Sequence, residues 1–252
     1  MKDKEIEKER YNKVADKLLK QVMKDKLPRD YLFFLPLYLH TPYVHFKSIL
    51  RDNLSENMTA LEIGSGTSGI TIWAVESGAK IISTDISETS VLYLNQAYAK
   101  YPNFVAIKAD MEKLPFCNGQ FDLVFCAGAL SYGDNQITRN EISRVLKSGG
   151  KFLCVDSLNN NWLYKFNRYI RYYRGSRTKY TLKQMPDLLL LKNYTHSFTH
   201  VKITYHGSIS WLCPILCLFV GLKNTAKFSD WFDKLIKVKG SGFKFTMVAT
   251  KK

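Results

Sequence analysis

Between residues 58 and 157, short apolar runs alternate with segments of helical period, and this alternation constrains the chain more than any other feature. The runs MTALEI (58–63), AKIISTDI (79–86), NFVAIKAD (103–110), FDLVFCAGAL (121–130) and KFLCVDS (151–157) have the length and β-branched content of buried strands. Between them, SGITIWAVESG (68–78), SETSVLYLNQAYAK (87–100) and NQITRNEISRVLKSGG (135–150) are predicted helices. Ser87 is the expected cap of the second, and Gly78 and the glycine pair 149–150 stop the other two. Strands alternating with helices of this length need parallel pairing and cover on both faces. The expected fold is therefore α/β: a doubly wound, Rossmann-like sheet with helices on both faces, mostly parallel, with an antiparallel final strand from SGFKFTMVATKK (241–252).

Outside this core the rhythm changes. Residues 3–27 read as a charged amphipathic helix ending near Pro28, followed by an aromatic stretch broken by Pro36 and Pro42. Residues 1–57 are thus expected to form an N-terminal helical lid on a domain spanning 58–252. Within that domain a substrate-side insertion and the last strands follow the core at 158–252, with helices at 161–175, 208–222 and 229–238 and a strand over 196–208.

The net charge of +15 is unevenly spread. Residues 60–157 carry eight basic and ten acidic side chains, whereas residues 158–252 carry seventeen basic and three acidic ones. Such asymmetry points to an anionic partner at the C-terminal third. The charged N-terminus does not read as a signal peptide, and the apolar runs 31–39 and 211–222 are too short to span a bilayer. The second run is expected to be core, with contact to a membrane surface as its alternative. Five scattered cysteines fit a reducing, cytoplasmic setting; Cys213 and Cys217 share a helix face but lack the partners of a zinc site, so no metal is expected.

The chemistry concentrates in LEIGSGTSG (61–69), where Gly64, Gly66 and Gly69 form a Gly-x-Gly-x-x-Gly loop after the first strand. Ligands of open α/β sheets sit at the carboxyl ends of the strands, and Glu62, Asp85 and Asp110 fall at three such ends. Asp85, sixteen residues beyond Gly69, is placed to accept from two ribose hydroxyls, which implies a nucleoside-bearing cofactor. A nicotinamide dinucleotide is one candidate. A carboxylate at 62 opposes a pyrophosphate over the loop, however, and suits a phosphate-free cofactor with cationic groups, such as S-adenosyl-L-methionine.

LEIGSGTSG, STDIS (83–87), KADMEKLPF (108–116), FDLVFCAGALSY (121–132) and RVLKSGGKFLCVDS (144–157) resemble, in order and spacing, the successive motifs of class I S-adenosylmethionine-dependent methyltransferases, closest to the branch acting on ubiquinone precursors and small molecules. The resemblance covers residues 58–157. It implies that Gly64 and Gly66 admit the methionine part of the cofactor, with Glu62 beneath them acting on its ammonium group. It further implies that Asp85 takes the ribose with Ile86 against the adenine, that Asp110 accepts from the adenine amino group with Met111 beside it, and that Ala127 lies by the methionine moiety. The section from Asp156 through Leu212 also resembles methyltransferases encoded with bacterial surface-polysaccharide machinery, which favours a sugar hydroxyl as acceptor.

An alcohol acceptor needs a base. Tyr132, just past the fourth strand, and His206, at the end of a C-terminal strand, are the candidates. The segment NNWLYKFNRYIRYYRGSRTKY (160–180) holds six basic residues, no acid and seven aromatics. Arg168 and Arg171 are the candidate ligands there for an anionic small-molecule or glycan acceptor, with a solvated basic face as the alternative. The Asn/Asp-Pro-Pro-Tyr/Phe signature of exocyclic-amine base methylation is missing after strand four, where CAGALSY stands, which disfavours nucleic acid. RNA or lipid methylation, a nicotinamide oxidoreductase and a non-catalytic cofactor-binding module are the competing readings.

Overall fold

A computed structural model describes residues 2–22, 30–67, 69–175, 177–236 and 238–252. The element order is α1 (Lys2–Val22), α2 (Thr41–Asn53), β1 (Thr59–Ile63), α3 (Thr71–Val75), β2 (Lys80–Asp85), α4 (Glu88–Ala97), β3 (Phe104–Lys108), β4 (Phe121–Ala127), α5 (Asn135–Val145), β5 (Leu146–Ser157), α6 (Trp162–Tyr173), α7 (Lys179–Lys183), α8 (Leu188–Ser197), β6 (Phe198–His206), α9 (Cys213–Leu235) and β7 (Lys244–Lys251).

Seven strands form one sheet in the order β3-β2-β1-β4-β5-β7-β6. The first five are parallel, and β7 runs antiparallel between β5 and β6. Strand order reverses between β1 and β4, so a crevice opens beyond their carboxyl ends. The two-residue period of the strands divides the core into two layers. Ala60, Leu123, Phe125 and Val155 pack on one face against Tyr43, Phe46 and Leu50 of α2, Trp73 of α3 and Leu94 of α4. Leu61, Val124, Phe152 and Cys154 pack on the other against Ile142 of α5 and Leu191 and Tyr194 of α8. The Phe152 and Tyr194 rings stack at 5.7 Å.

Several boundaries differ from the sequence expectation. The helix expected over 135–150 ends at Val145, and Leu146 already pairs with Phe121. A register shift between Phe121 and Leu123 absorbs the extra residues, so the glycine pair lies inside β5. The helix after the glycine loop is only Thr71–Val75. Residues 179–195, unassigned from sequence, hold α7 and most of α8, separated around Pro186 and capped by Thr178 and Asp187; α8 runs on to Ser197, so the strand expected from 196 starts at Phe198. The two helices expected after 208 are present within α9, divided at Gly221 (φ 75°, ψ 165°), with the second starting earlier than the expected 229. The apolar run at its start is not core: Leu218 is 83% and Phe219 80% exposed. The first helix is described to Val22; its expected continuation to 27 and the break at Pro28 lie outside the described residues.

Helix α1 packs along α4 and is held largely by polar links. Lys4 pairs with Asp110 and Glu112 at 2.9 and 2.8 Å. The Glu7 carboxylate accepts from Thr178 N and Thr181 Oγ1. Asn12 Oδ1 accepts from Ser87 Oγ at 2.6 Å, and the Tyr11 and Tyr132 hydroxyls meet at 2.8 Å. These contacts carry α1 across the end of the sheet where the crevice opens.

Phe152 is fully buried at the centre of the second layer. Its replacement by Ala is expected to cost about 3–5 kcal/mol, because the stacked Tyr194 and tilted Phe198 cannot close the cavity left behind. Chemical denaturation of wild type and Phe152→Ala measures it.

Candidate active site

The loop between β1 and α3 is shaped by two glycines with positive φ, Gly64 at 59° and Gly66 at 54°. At Gly64 the requirement is also steric. A Cβ there would stand 2.8 Å from Ala129 Cβ and 3.2 Å from Met111 Cε. The loop is pinned to the end of β2: Gly66 N donates to Asp85 Oδ2 at 2.7 Å, and Ser65 N donates to Thr84 O at 3.0 Å. The other Asp85 oxygen accepts from Ser87 N at 2.8 Å, while Ser87 Oγ caps α4 by accepting from Ser90 N. Burial lifts the Asp85 carboxyl above its ordinary value, against the pull of these backbone donors.

Glu62 lies under the loop, 2% exposed. Its Oε2 accepts from Ser83 Oγ at 2.5 Å and Thr71 Oγ1 at 2.8 Å, tying β1, β2 and α3 together. Burial, and more weakly the charge on Asp85, push the Glu62 carboxyl up to about 7 despite those two hydroxyl donors. A cation arriving above the loop would favour the ionised form.

These elements surround a cavity of about 470 Å³. Its lining includes Gly64, Gly66, Gly69, Asp85, Ile86, Asp110, Met111, Ala127 and Tyr132, nine residues singled out from sequence. Glu62 supports this floor from beneath and is not part of the lining. The volume, the loop amides and the strand-end carboxylates fit a nucleoside with a cationic tail: ligand pockets run from roughly 300 to 1,000 Å³.

Three expectations are corrected. His206 does not line the cavity. It is buried behind β7, where its Nε2 lies 3.2 Å from Thr246 Oγ1 and its ring 5.2 Å from that of His45. Burial, with His45 beside it, lowers its pKa to about 4. Arg168 and Arg171 do not act as a pair on this cavity either. Arg168 is turned inward, donating through Nη1 to Leu158 O at 2.8 Å and Asn159 Oδ1 at 3.0 Å, whereas Arg171 is exposed on the outside of α6. A step of three along a helix still turns the side chain by about 60°, enough here to separate a buried position from an exposed one. Tyr132 does reach the cavity, its hydroxyl within hydrogen-bond distance of Tyr11 Oη and of Arg10 Nη2.

The structure adds groups that sequence reasoning passed over. Asp156, at the end of β5, lines the cavity while accepting from Leu130 N at 3.0 Å and Ser157 N at 2.6 Å. It obeys the same strand-end rule that singles out Asp85 and Asp110. Burial raises its carboxyl, although Lys244 pulls the other way. Lys244, on β7, is 8% exposed, with its ammonium 3.4 Å from Ser157 Oγ and 5.0 Å from the Tyr43 ring centre. Burial lowers its pKa. Arg177 lines the same end and has no ion pair among the described residues. Tyr11, Tyr31 and Phe34 complete the wall from the N-terminal segment. The described residues contain no His/Cys/Asp/Glu group suited to a metal.

Residues 61–154 match a family pattern described as a methyltransferase domain. Over 119 residues the chain is 33% identical to a sterol 4-C-methyltransferase of Caenorhabditis elegans, covering 46% of this chain and 36% of that protein. Over 116 residues it is 29% identical to a demethylmenaquinone methyltransferase of Staphylococcus aureus, covering 44% and 48%. The chain thus spans about half, or less, of these relatives. Among solved structures, geranyl diphosphate C-methyltransferase of Streptomyces coelicolor, crystallised with Mg2+, geranyl diphosphate and S-adenosyl-L-homocysteine, superposes with a TM-score of 0.61 at 15% identity over 85% of this chain and 81% of that one. The [4+2]-cyclase SpnF does so at 0.56 and 14%, covering 82% and 80%. At such identities the likeness is one of fold.

Two outcomes follow from the loop. Gly64→Ala is expected to cost about 2–4 kcal/mol, from left-handed strain plus the Ala129 clash, in thermal or denaturant unfolding. The folded-state pKa of Glu62 lies above its ordinary 4.5, so the folded chain binds more protons there than the unfolded one. Its contribution to stability is complete at low pH and declines as pH rises from about 4.5 through about 7. Glu62→Gln should flatten that part of the stability–pH curve of the ligand-free protein.

Proposed function

We propose that the chain carries a class I S-adenosylmethionine-dependent methyltransferase domain, supported by the match over residues 61–154, and that it transfers a methyl group to a hydroxyl oxygen of an anionic small molecule or glycan. One observation carries this reading: a single cavity has the Asp85 and Asp110 carboxylates and glycine amides at one end, Lys4 resting on Asp110, and two buried or half-buried cations, Lys244 and Arg177, beside Asp156 at the other. The first end suits the adenosine and the ammonium and sulfonium groups. The second suits a carboxylate or phosphate on the acceptor.

When bound, S-adenosylmethionine would supply an electrophilic methyl group on a sulfonium sulfur, whose leaving group is a neutral thioether. The residues of the chain hold, orient and shield. Gly64 and Gly66 expose backbone amides, with Glu62 beneath as a fixed negative charge when ionised. Asp85 keeps acceptor capacity beyond its two amide bonds, since a carboxylate offers about four lone-pair sites. Helix α1 roofs the cavity through Tyr11 and excludes water, which sharpens every interaction inside. Lys244 and Arg177 orient the acceptor, and Asp156, whose carboxyl burial makes more basic, takes the proton from its hydroxyl. This assignment replaces His206, which lies outside the cavity.

Equilibrium binding is the first test: micromolar S-adenosylhomocysteine affinity with no NAD binding supports the reading, and the reverse sinks it. Asp85→Ala should weaken S-adenosylhomocysteine by about 1.5–3 kcal/mol. Labelled methyl transfer into fractionated extract then identifies the acceptor pool. With that acceptor, Lys244→Met and Arg177→Met should each raise KM about tenfold or more while leaving S-adenosylhomocysteine affinity within about twofold. Asp156→Asn should lower kcat with cofactor affinity unchanged.

A further inference from the structure

Helix α6 carries aromatic side chains on two sides. Tyr164 and Arg168 face inward, with the Tyr164 hydroxyl donating to Gly207 O at 2.8 Å and its ring 4.9 Å from Phe243. On the other side Trp162, Phe166, Tyr169 and Tyr173 recur at intervals of four, three and four, which places them within about 60° of arc. All four are exposed, Trp162 by 72% and Tyr173 by 82%. The 207–212 turn on which α6 rests leads into α9, whose first turns present Leu218 and Phe219 to solvent ahead of the Gly221 kink. Each element thus exposes apolar side chains, an aromatic stripe on α6 and an apolar start on α9. Exposed apolar surface of this extent marks a partner.

The charge around it says which. Lys165 and Arg174 are exposed on α6, and Lys223 and Lys227 are exposed on α9 just past the kink. Residues 158–252 contain three acids, and each is engaged within the fold. Asp187 caps α8 by accepting from Leu190 N. Asp230 accepts from Thr41 Oγ1, and Asp233 from the amides of Gly207 and Ser208. None forms an ion pair with these basic side chains among the described residues. Trp and Tyr beside an apolar tip, ringed by Lys and Arg, is the composition of a surface that rests at a lipid headgroup layer. Among the described residues no helix is long and apolar enough to cross a bilayer.

We propose that the flank formed by α6 and the start of α9 docks on the surface of an anionic lipid bilayer, the aromatic stripe and the Leu218–Phe219 tip entering the headgroup region and the basic side chains facing lipid phosphates. The proposal stands on this flank alone and does not depend on the methyl-transfer reading.

Co-sedimentation of the full chain with vesicles tests it. Vesicles of phosphatidylcholine and phosphatidylglycerol in equal parts should carry the protein down; phosphatidylcholine alone, or high salt, should leave most of it in solution. Replacing Trp162, Phe166 and Tyr169 together with Ser, or Leu218 and Phe219 together with Ser, should weaken binding by about tenfold or more. Lys165→Gln and Arg174→Gln should each weaken it by about fivefold, the effect of one surface charge. These side chains are exposed, so the thermal midpoint should be unchanged, and a shifted midpoint in the aromatic variant would transfer the test to the two charge variants. Wild type that stays in solution with the anionic vesicles overturns the proposal. So does undiminished binding by the variants, or a concentration-dependent dimer that the aromatic variant abolishes while vesicles bind neither protein.

Discussion

The bond from the Gly66 amide to the Asp85 carboxylate joins the ends of two neighbouring parallel strands across the opening of the sheet. Everything at the site is referred to it. It holds the loop after β1 in a left-handed path that a side chain at Gly64 would obstruct, and it aims the Asp85 carboxylate at the cavity. The second Asp85 oxygen starts α4 through Ser87, and Ser87 in turn reaches Asn12 of α1. One carboxylate therefore couples the floor of the cavity, the helix beside it and the helix above it. Glu62 performs the complementary task below, where Thr71 and Ser83 hold a group that burial would otherwise leave without partners.

Helix α1 is attached differently from the rest of the fold. Ala15 is its buried apolar side chain, with Leu18 and Leu19 half-buried against the first core layer; most of its other anchors are ion pairs and hydrogen bonds at the rim. Such an element opens locally at lower free energy than strands packed on both faces. Lys4 also occupies the Asp110 carboxylate that the family resemblance gives to an adenine amino group. The Asp110 carboxylate is thus shared between the seating of α1 and the cavity that it lines.

The parallel core was legible because its signals are local. Each of its strands is a short apolar run ending in a glycine or an acid, and the spacing of Gly64, Gly66, Asp85 and Asp110 is fixed by one turn of β-α-β geometry after another. Asp156 in FLCVDS obeys the same rule, but no glycine loop or motif beside it marks it apart from any strand end. The C-terminal third was less legible because its functional groups meet through sheet order. Lys244 enters the cavity because β7 inserts between β5 and β6, a non-local pairing that no sequence period announces. His206 pairs with Lys244 across that same ladder yet lies outside the cavity. Arg168 shows the other limit: a basic residue in a basic stripe reads as surface, and its inward turn toward Leu158 O follows from packing against Phe243.

The division of charge along the chain becomes spatial in the fold. The nearly neutral, slightly acidic core supplies the carboxylates at the switch point of the sheet, and the basic third supplies Lys244 and Arg177 at the opposite end of one cavity. Buried Asp156 sits where the two meet, its ionisation opposed by burial and favoured by Lys244. Lys244 itself is desolvated, with a serine hydroxyl and aromatic faces around it and no carboxylate at ion-pair distance among the described residues. A buried ammonium so placed is costly until an anion reaches it, whereas an exposed lysine would gain little from the same contact. On the proposed reading, the unfavourable burial of Lys244 and Asp156 would make that end selective: a ligand bringing a negative group to Lys244 and a proton to Asp156 would relieve both at once, and a neutral ligand of the same shape would relieve neither.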